Sequence, residues 1–525
     1  MDSFSKPFSA PSFLGNVYLE KAARILEEKA KVAVGRVASE VAPEAMKQRE
    51  KGEGLRPHQI EALEKLDRTN GLILQHSTGS GKTKTFLTAI KRAMDKDKQK
   101  RGLVVAPASL VTNIDKELEK HKIKLDRKRL DVYSYEKATR MADELAKNDY
   151  SIAVADEAQR LRNPGTQRVK ALSDLFRSAD QRLLATATAQ YNQPSDLASL
   201  INIAADNDLM PEDKKQFENK YLKTVKKPRT MMQVILRRPH EESVELKNKD
   251  EMKDIFEDYV HHYDSAEDPE AQDKFPTTTE EVIETPMDSG QREAYAFMEG
   301  KMPWWLKMKI RHNMPMDKQE KAQLNSFSSG VRQVSTGYRH YKQDSSQVPF
   351  TPKVETAAAN LEKKMRETPD FRALVYSGFL DAGVNEYSRK LKEKGIPHST
   401  FTGSLTAEQK DALVKDYNSG KNPVLIVSKS GAEGLDLKGV RLTQVLEPFF
   451  NPSLVTQVIG RGARYESHQH LPKEQRNMHI EYYRTVHPKN LFSSRPMSID
   501  SYLAEHSDDK QQIFDKVKDL MAKSN

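Results

Sequence analysis

The sequence predicts an α/β protein of two parallel-sheet lobes, with a helical or irregular insertion between them and helical termini. Three observations carry this reading. Short, almost wholly apolar runs alternate with polar helical stretches over residues 55–238, and the pattern returns over residues 351–495; strands buried on both faces read as such runs. A glycine-rich turn separates the first run from a good helix. At 525 residues the chain is too long for one ordinary core.

Along the chain, apolar groups recur at positions 19, 22, 26, 30, 33, 37 and 41, one stripe of a helix. Residues 1–54 are therefore read as a helical extension. Strands are expected at 71–75, 102–107, 130–135, 151–156, 182–188 and 234–238 in the first lobe. In the second they are expected at 372–378, 397–403, 423–429, 441–447 and 479–485. Residues 239–350 are more polar and irregular, and 496–525 read as an amphipathic helical brace.

Composition narrows the function classes. No cysteine is present, so disulfides and thiolate zinc sites are excluded. No run of about 18 apolar residues occurs, so no membrane partner is expected. The N-terminus lacks a basic start followed by an apolar block, which predicts a soluble, intracellular protein. Lys and Arg number 85 against 76 Asp and Glu, a mild excess of +9. Two stretches concentrate it. Residues 214–238 hold nine basic groups against Glu218 alone, and 303–342 hold eight against Asp317 and Glu320, interleaved with Trp304 and Trp305. Such stretches suit a phosphate backbone; a solvated charged surface is the plainer alternative.

The chemistry is concentrated in three motifs. His76-Ser77-Thr78-Gly79-Ser80-Gly81-Lys82-Thr83 has the strand, turn and helix context of a phosphate-binding loop, with His76 where the strict pattern has Gly. Its backbone N–H groups would wrap phosphates, Lys82 would reach the β- and γ-phosphates of ATP, and the Thr83 hydroxyl would hold Mg²⁺. Asp156 and Glu157 end an apolar run, where a carboxylate points into the ligand crevice. Asp156 is assigned to Mg²⁺ and Glu157 to the attacking water. In the second lobe, Arg461 and Arg464 stand at i and i+3 on one helix face, spaced to neutralise transferring phosphate.

Together these motifs resemble helicase superfamily 2, in particular its Snf2-like branch. The resemblance runs from about Leu55 to Leu503 with all motifs in order, and implies RecA-like lobes with ATP between them. Residues 55–59, with Arg56 and Gln59, are similar to the segment that reads adenine. Residues 105–113 resemble motif Ia, 132–136 motif Ib, 156–163 motif II, and 182–202 motif III with its tail. Leu236-Arg237-Arg238 resembles the family's lobe-one terminus. Residues 375–377, 402–404 and 428–436 resemble motifs IV, IVa and V, adding Gly434 and Asp436 to the ATP site. The resemblance also implies nucleic acid, expected to be double-stranded DNA, held across both lobes, with Ser109, Asn113, Gly403 and Ser428 assigned to that surface. Residues 464–472 and 498–503 are most similar to poxvirus-type DNA-dependent nucleoside triphosphatases, which implies a virus- or phage-encoded protein acting in a host cell. Gln159 departs from the family's usual His, and Ala187 and Ala189 from its Gly and Pro.

Three functions follow as expectations: a double-stranded DNA translocase, a strand-separating helicase using Trp304 and Trp305 as a stacking wedge, or a non-catalytic scaffold. A transcription-associated ATPase is a further form of the first.

Overall fold

The computed structural model describes residues 54–187, 193–226, 242–265, 267–314, 316, 318–341, 348–429, 435–448, 452–489 and 495–524. The helix expected over residues 17–41, the strand expected over 234–238, the Leu236-Arg237-Arg238 motif, residues 188–192 of the motif III segment, and Gly434 lie outside them.

Two six-stranded sheets form, each wholly parallel. The first runs β3 (Leu130–Ser134), β2 (Arg101–Ala106), β4 (Tyr150–Asp156), β5 (Gln181–Thr186), β1 (Gly71–His76), β8 (Val260–Tyr263). The second runs β11 (His398–Phe401), β12 (Val424–Ser428), β10 (Ala373–Ser377), β13 (Leu442–Val445), β14 (Asn477–Val486), β9 (Thr277–Pro286). A separate antiparallel pair joins β6 (Leu222–Lys226) to β7 (Glu242–Leu246).

Both faces of each sheet are covered, which is why the strands read as continuous apolar runs. Ten helices are used below: α1 (Pro57–Thr69), α2 (Lys82–Lys96), α3 (Asp196–Ala205), α4 (Lys249–Tyr259), α5 (Ser289–Gly300), α6 (Trp304–Arg311), α7 (Lys318–Thr336), α8 (Pro352–Glu367), α9 (Pro452–Gly462) and α10 (Ile499–Ala522). In β1, Leu72 and Leu74 pack with Phe86, Leu87 and Ile90 of α2. Ile73, on the opposite face, joins Leu200 and Ile201 of α3 and Phe256 of α4. Leu374 and Val375 divide between two cores in the same way.

Where the sequence reading placed a helical or irregular insertion, residues 239–350 supply an outer strand to each sheet as well as helices. Neither strand carries an apolar run. β8 is Val-His-His-Tyr, and β9 is Thr- and Glu-rich with most side chains exposed. They are held by backbone pairing to β1 and β14 instead. Helices α5 to α7 pack into a three-helix module around Tyr295, Leu306, Ile310 and Val331.

The C-terminal stretch forms α10, 24 residues long. Its first turns give Ile499, Tyr502 and Leu503 to the module's core. Its last turns give Val517 and Met521 to the core of the first lobe, each burial contributing roughly 1.5–3 kcal/mol. One rigid element thus ties the two halves together, helped by Lys516 Nζ donating to Val244 O at 2.8 Å and by the Lys518–Asp264 ion pair.

Candidate nucleotide site

The phosphate-binding loop leaves β1 at His76 and enters α2 at Lys82. Gly81 carries φ of +91°, a left-handed conformation that glycine adopts without cost. The N-terminus of α1 lies against this loop. Gln59 donates from Nε2 to Gly81 O at 3.0 Å and accepts from Arg56 N at Oε1 at 2.9 Å. The amide assigned to adenine is therefore engaged with backbone on both atoms. His58 Nε2 lies 3.1 Å from Ser80 O. Lys82 Nζ donates to His76 O at 2.8 Å and to Ser77 O at 3.0 Å, tying the neck of the loop.

Asp156 ends β4 at the carboxyl edge of the sheet, with its backbone oxygen accepting from Tyr135 Oη at 2.7 Å. Glu157 follows at φ +53°, an unusual conformation for a residue with a side chain. It is held there by a relay. Thr186 Oγ1 donates to Gln159 Oε1 at 2.8 Å, and Gln159 Nε2 donates to Glu157 Oε2 at 2.7 Å. The departure at Gln159 thus connects the end of β5 to the carboxylate assigned to the attacking water.

The second lobe meets the loop at its glycines. A Cβ on Gly460 would lie 2.2 Å from Thr78 Oγ1, and one on Gly79 would lie 3.3 Å from Arg464 Cα. Only glycine permits that approach at position 460. The sequence reading put Arg461 and Arg464 on one helix face; α9 instead ends at Gly462, and Arg464 lies beyond it. Glycines at 460 and 462 weaken the last turn, and Arg464 folds back, donating from Nε to Gly460 O at 3.3 Å. Its Nη1 pairs with Asp436 at 3.2 Å. Asp436 therefore positions this arginine.

These groups lie close enough to influence one another electrostatically. Burial pulls the Lys82 ammonium below its ordinary range, opposed by Glu157 and Asp156 and reinforced by Arg461 and Arg464. Burial pushes the Asp156 carboxyl up, with the Glu157 charge adding to it and Lys82 and Arg461 opposing. Burial also lowers Arg464 to about 10, with Arg461 next in effect. Around the loop, Arg56 Nη1, Ser80 Oγ and Arg461 Nε are buried without a hydrogen-bond partner. Orphaned donors of this kind suit an anionic ligand.

Family matches agree with this geometry. The SNF2-related domain family matches residues 124–340, the helicase conserved C-terminal domain 353–466, and the type III restriction enzyme res subunit 53–191. The chain belongs to helicase superfamily 2, in its Snf2-like branch. It is an ATP-hydrolysing enzyme and an ATP-dependent nucleic-acid motor. A protein of Acanthamoeba polyphaga mimivirus, named as a candidate ATP-dependent RNA helicase, is 25% identical over 475 residues, covering 89% of this chain and 96% of that protein. A second mimivirus protein named in the same way is 23% identical, covering 80% and 79%. An African swine fever virus termination factor NPH-I homolog is 29% identical over 167 residues, 30% of this chain and 24% of that one. The solved Sulfolobus solfataricus SWI2/SNF2 ATPase core in complex with dsDNA aligns at 19% identity with a TM-score of 0.36, covering 82% of this chain and 88% of that one.

Other assigned residues of this Snf2-like ATPase lie at the carboxyl edges of the sheets. Ser109 is in the short helix Ala108–Val111 after β2, its side chain outside the described residues. Asn113 N-caps the next helix, Gly403 sits in the exposed turn after β11, and Ser428 ends β12 with its side chain buried.

Sequence reasoning missed two neighbours of the loop. Tyr465 lies under the Arg56 guanidinium, 3.9 Å from ring centroid to Cζ, joining the lobes; its place beside Arg464 was the available signal. The second is a buried histidine cluster. His76 Nε2 lies 2.8 Å from His261 Nδ1, and His58 stacks on Tyr263 at 3.5 Å. Burial lowers His58 to about 4, with Arg56 and His261 also lowering it and Asp268 opposing. His262 falls to about 4 by burial and Lys518, against Asp264 and Asp519. Burial likewise lowers His76, and His261 despite Glu61.

All four histidines are depressed below the unfolded value near 6.5, so the unfolded chain takes up protons first on acidification. Their stabilisation is complete above about pH 6.5 and is lost as pH falls toward 4. At about pH 5 each of His58 and His262 costs about 2 kcal/mol, which predicts a Tm lower than at pH 7.5 by on the order of 10 °C. A His58→Phe chain, which retains a ring on Tyr263, loses its share of that dependence. A Tm that does not change between these pH values in either chain excludes the cluster as the cause.

Proposed function

We propose that this protein couples ATP hydrolysis to translocation along double-stranded DNA without separating the strands. The observation carrying the motor reading is the convergence of Lys82, Asp156 and Glu157 with Arg461 and Arg464 at the joint where Gly460 touches Thr78. Ser77 to Thr83 hold the phosphates through backbone N–H groups, and Lys82 neutralises their charge. Glu157, aimed by Gln159, takes the proton of the attacking water. Arg461 and Arg464 meet the charge that develops on the γ-phosphate, so hydrolysis requires both lobes.

The donors of Thr83 and Asp156 are hard oxygens, the chemistry Mg²⁺ prefers, and Asp156 is a buried carboxyl beside Glu157 whose charge a cation would offset. Mg²⁺ held there would supply charge neutralisation to the triphosphate.

The double-stranded substrate is supported by the SNF2-related match. The viral relatives support a virus-encoded protein, and the NPH-I homolog supports a place beside transcription. ATPase rates without polymer and with duplex DNA, single-stranded DNA and RNA test the reading, alongside displacement of an annealed oligonucleotide. Duplex DNA should stimulate most, without displacement. Stimulation chiefly by RNA, with strand displacement, would transfer the protein to the helicase reading that the mimivirus names suggest.

A further inference from the structure

The chain passes from β8, the outer strand of the first sheet, to β9, the outer strand of the second, through residues 264–276. This connection touches the nucleotide site near both of its ends. At its start, Ser77 N of the phosphate-binding loop donates to Tyr263 O at 2.9 Å. Two residues on, Ser265 N donates to Ser77 Oγ at 3.0 Å, and the two hydroxyls lie 3.0 Å apart. Ser265 is buried. Three hydrogen bonds therefore tie the first serine of the loop to the start of the connection.

At its far end the connection meets the turn that carries Arg464. Glu466 N donates to Lys274 O at 2.7 Å, and the Phe275 ring meets Tyr465 edge-on, with centroids 5.7 Å apart. Glu466 has φ of +58°, a conformation that a residue with a side chain keeps only where its surroundings hold it. The Lys274 carbonyl is one of those holds. Loop and turn also touch directly, since a Cβ on Gly79 would lie 3.1 Å from Tyr465 N. The connection borders a cavity of about 660 Å³, whose lining includes Ser77, Ser265, Phe275, Thr456 and Gly460. Its course is set by what its ends hold rather than by a close-packed core.

We propose that Ser265 is a positioning residue for ATP hydrolysis: its hydroxyl, through Ser77, fixes the phosphate-binding loop to a strap whose other end sets the turn of Arg464. Ser265 touches no reacting atom. It acts on where the Arg464 guanidinium stands relative to the phosphates that the loop holds, and a misplacement of about 1 Å is enough to cost rate. Arg464 meets charge that develops only in the transition state, so the displacement is felt in turnover and not in ATP binding. The inference rests on the two-lobe hydrolysis proposed above and adds the means by which the two halves keep register.

Double-mutant cycles on the full chain test it, with kcat and KM for ATP measured with and without duplex DNA. Ser265→Ala should lower kcat roughly three- to tenfold, the worth of one hydrogen bond, with KM within about twofold of wild type. Ser265→Thr, which keeps the hydroxyl, should retain most of the wild-type rate. Phe275→Leu removes the edge contact at the other end of the strap and should give a loss of the same kind, so the cycle can be run even if Ser265→Ala does not fold. In an Arg464→Ala background neither substitution should lower the rate further, because the group they position is gone. Wild-type kcat in both single variants, a raised KM with unchanged kcat, or equal fold-losses with and without Arg464 would each overturn the strap. Wild-type turnover in Arg464→Ala would overturn the two-lobe reading together with it, so the two failures are distinguishable.

Discussion

Replacing Glu157 with Gln is expected to lower the ATP turnover number on the order of a thousandfold while leaving nucleotide affinity within a few-fold of wild type. A positioned general base contributes about 10² to 10⁴ in rate. The substitution removes the basic oxygen while preserving side-chain size and a partner for Gln159. Because Glu157 occupies a left-handed backbone conformation and is held by Gln159 and Thr186, its position is set before substrate arrives. Steady-state hydrolysis in parallel with binding of a fluorescent ATP analogue separates rate from affinity. Hydrolysis at the wild-type rate would remove Glu157 from the mechanism and revive the scaffold reading.

The largest effect on stability is expected at Asp500. Its carboxylate accepts from Lys353 Nζ at 2.6 Å and from Thr485 N at 2.9 Å, and both charged side chains are essentially inaccessible to solvent. This pair joins the starts of α8 and α10 to β14. Truncation of Asp500 to Ala leaves the Lys353 ammonium buried without its partner, which costs about 3–5 kcal/mol. The expected result is a fall in Tm on the order of 10 °C. The double change Lys353→Met with Asp500→Leu should recover most of it, since removing both charges also removes their desolvation cost. Equal Tm values for Asp500→Ala and wild type would show that the pair contributes nothing.

Legibility followed the range of the interactions. The loop from Ser77 to Thr83 was readable because a strand, a turn needing left-handed glycine and a helix are all specified within about a dozen adjacent residues. Asp156 was readable because the strand before it is apolar throughout. Arg464 was misplaced by local spacing, because its donor to Gly460 O and its pairing with Asp436 end the helical geometry that i and i+3 assume. Strands β8 and β9 carry no apolar pattern, so only their partners reveal them.

By itself, the order of residues determined the two parallel sheets and the glycine-rich turn between β1 and α2, since each depends on backbone preference and burial within a short segment. The tertiary structure decided what the side chains touch: Gln159 linking Glu157 to Thr186, Tyr465 under Arg56, His76 against His261, and Trp304 left in solvent while Trp305 is packed. These contacts join positions remote in sequence or depend on which face an element buries, and that is settled only when the separate cores close on one another.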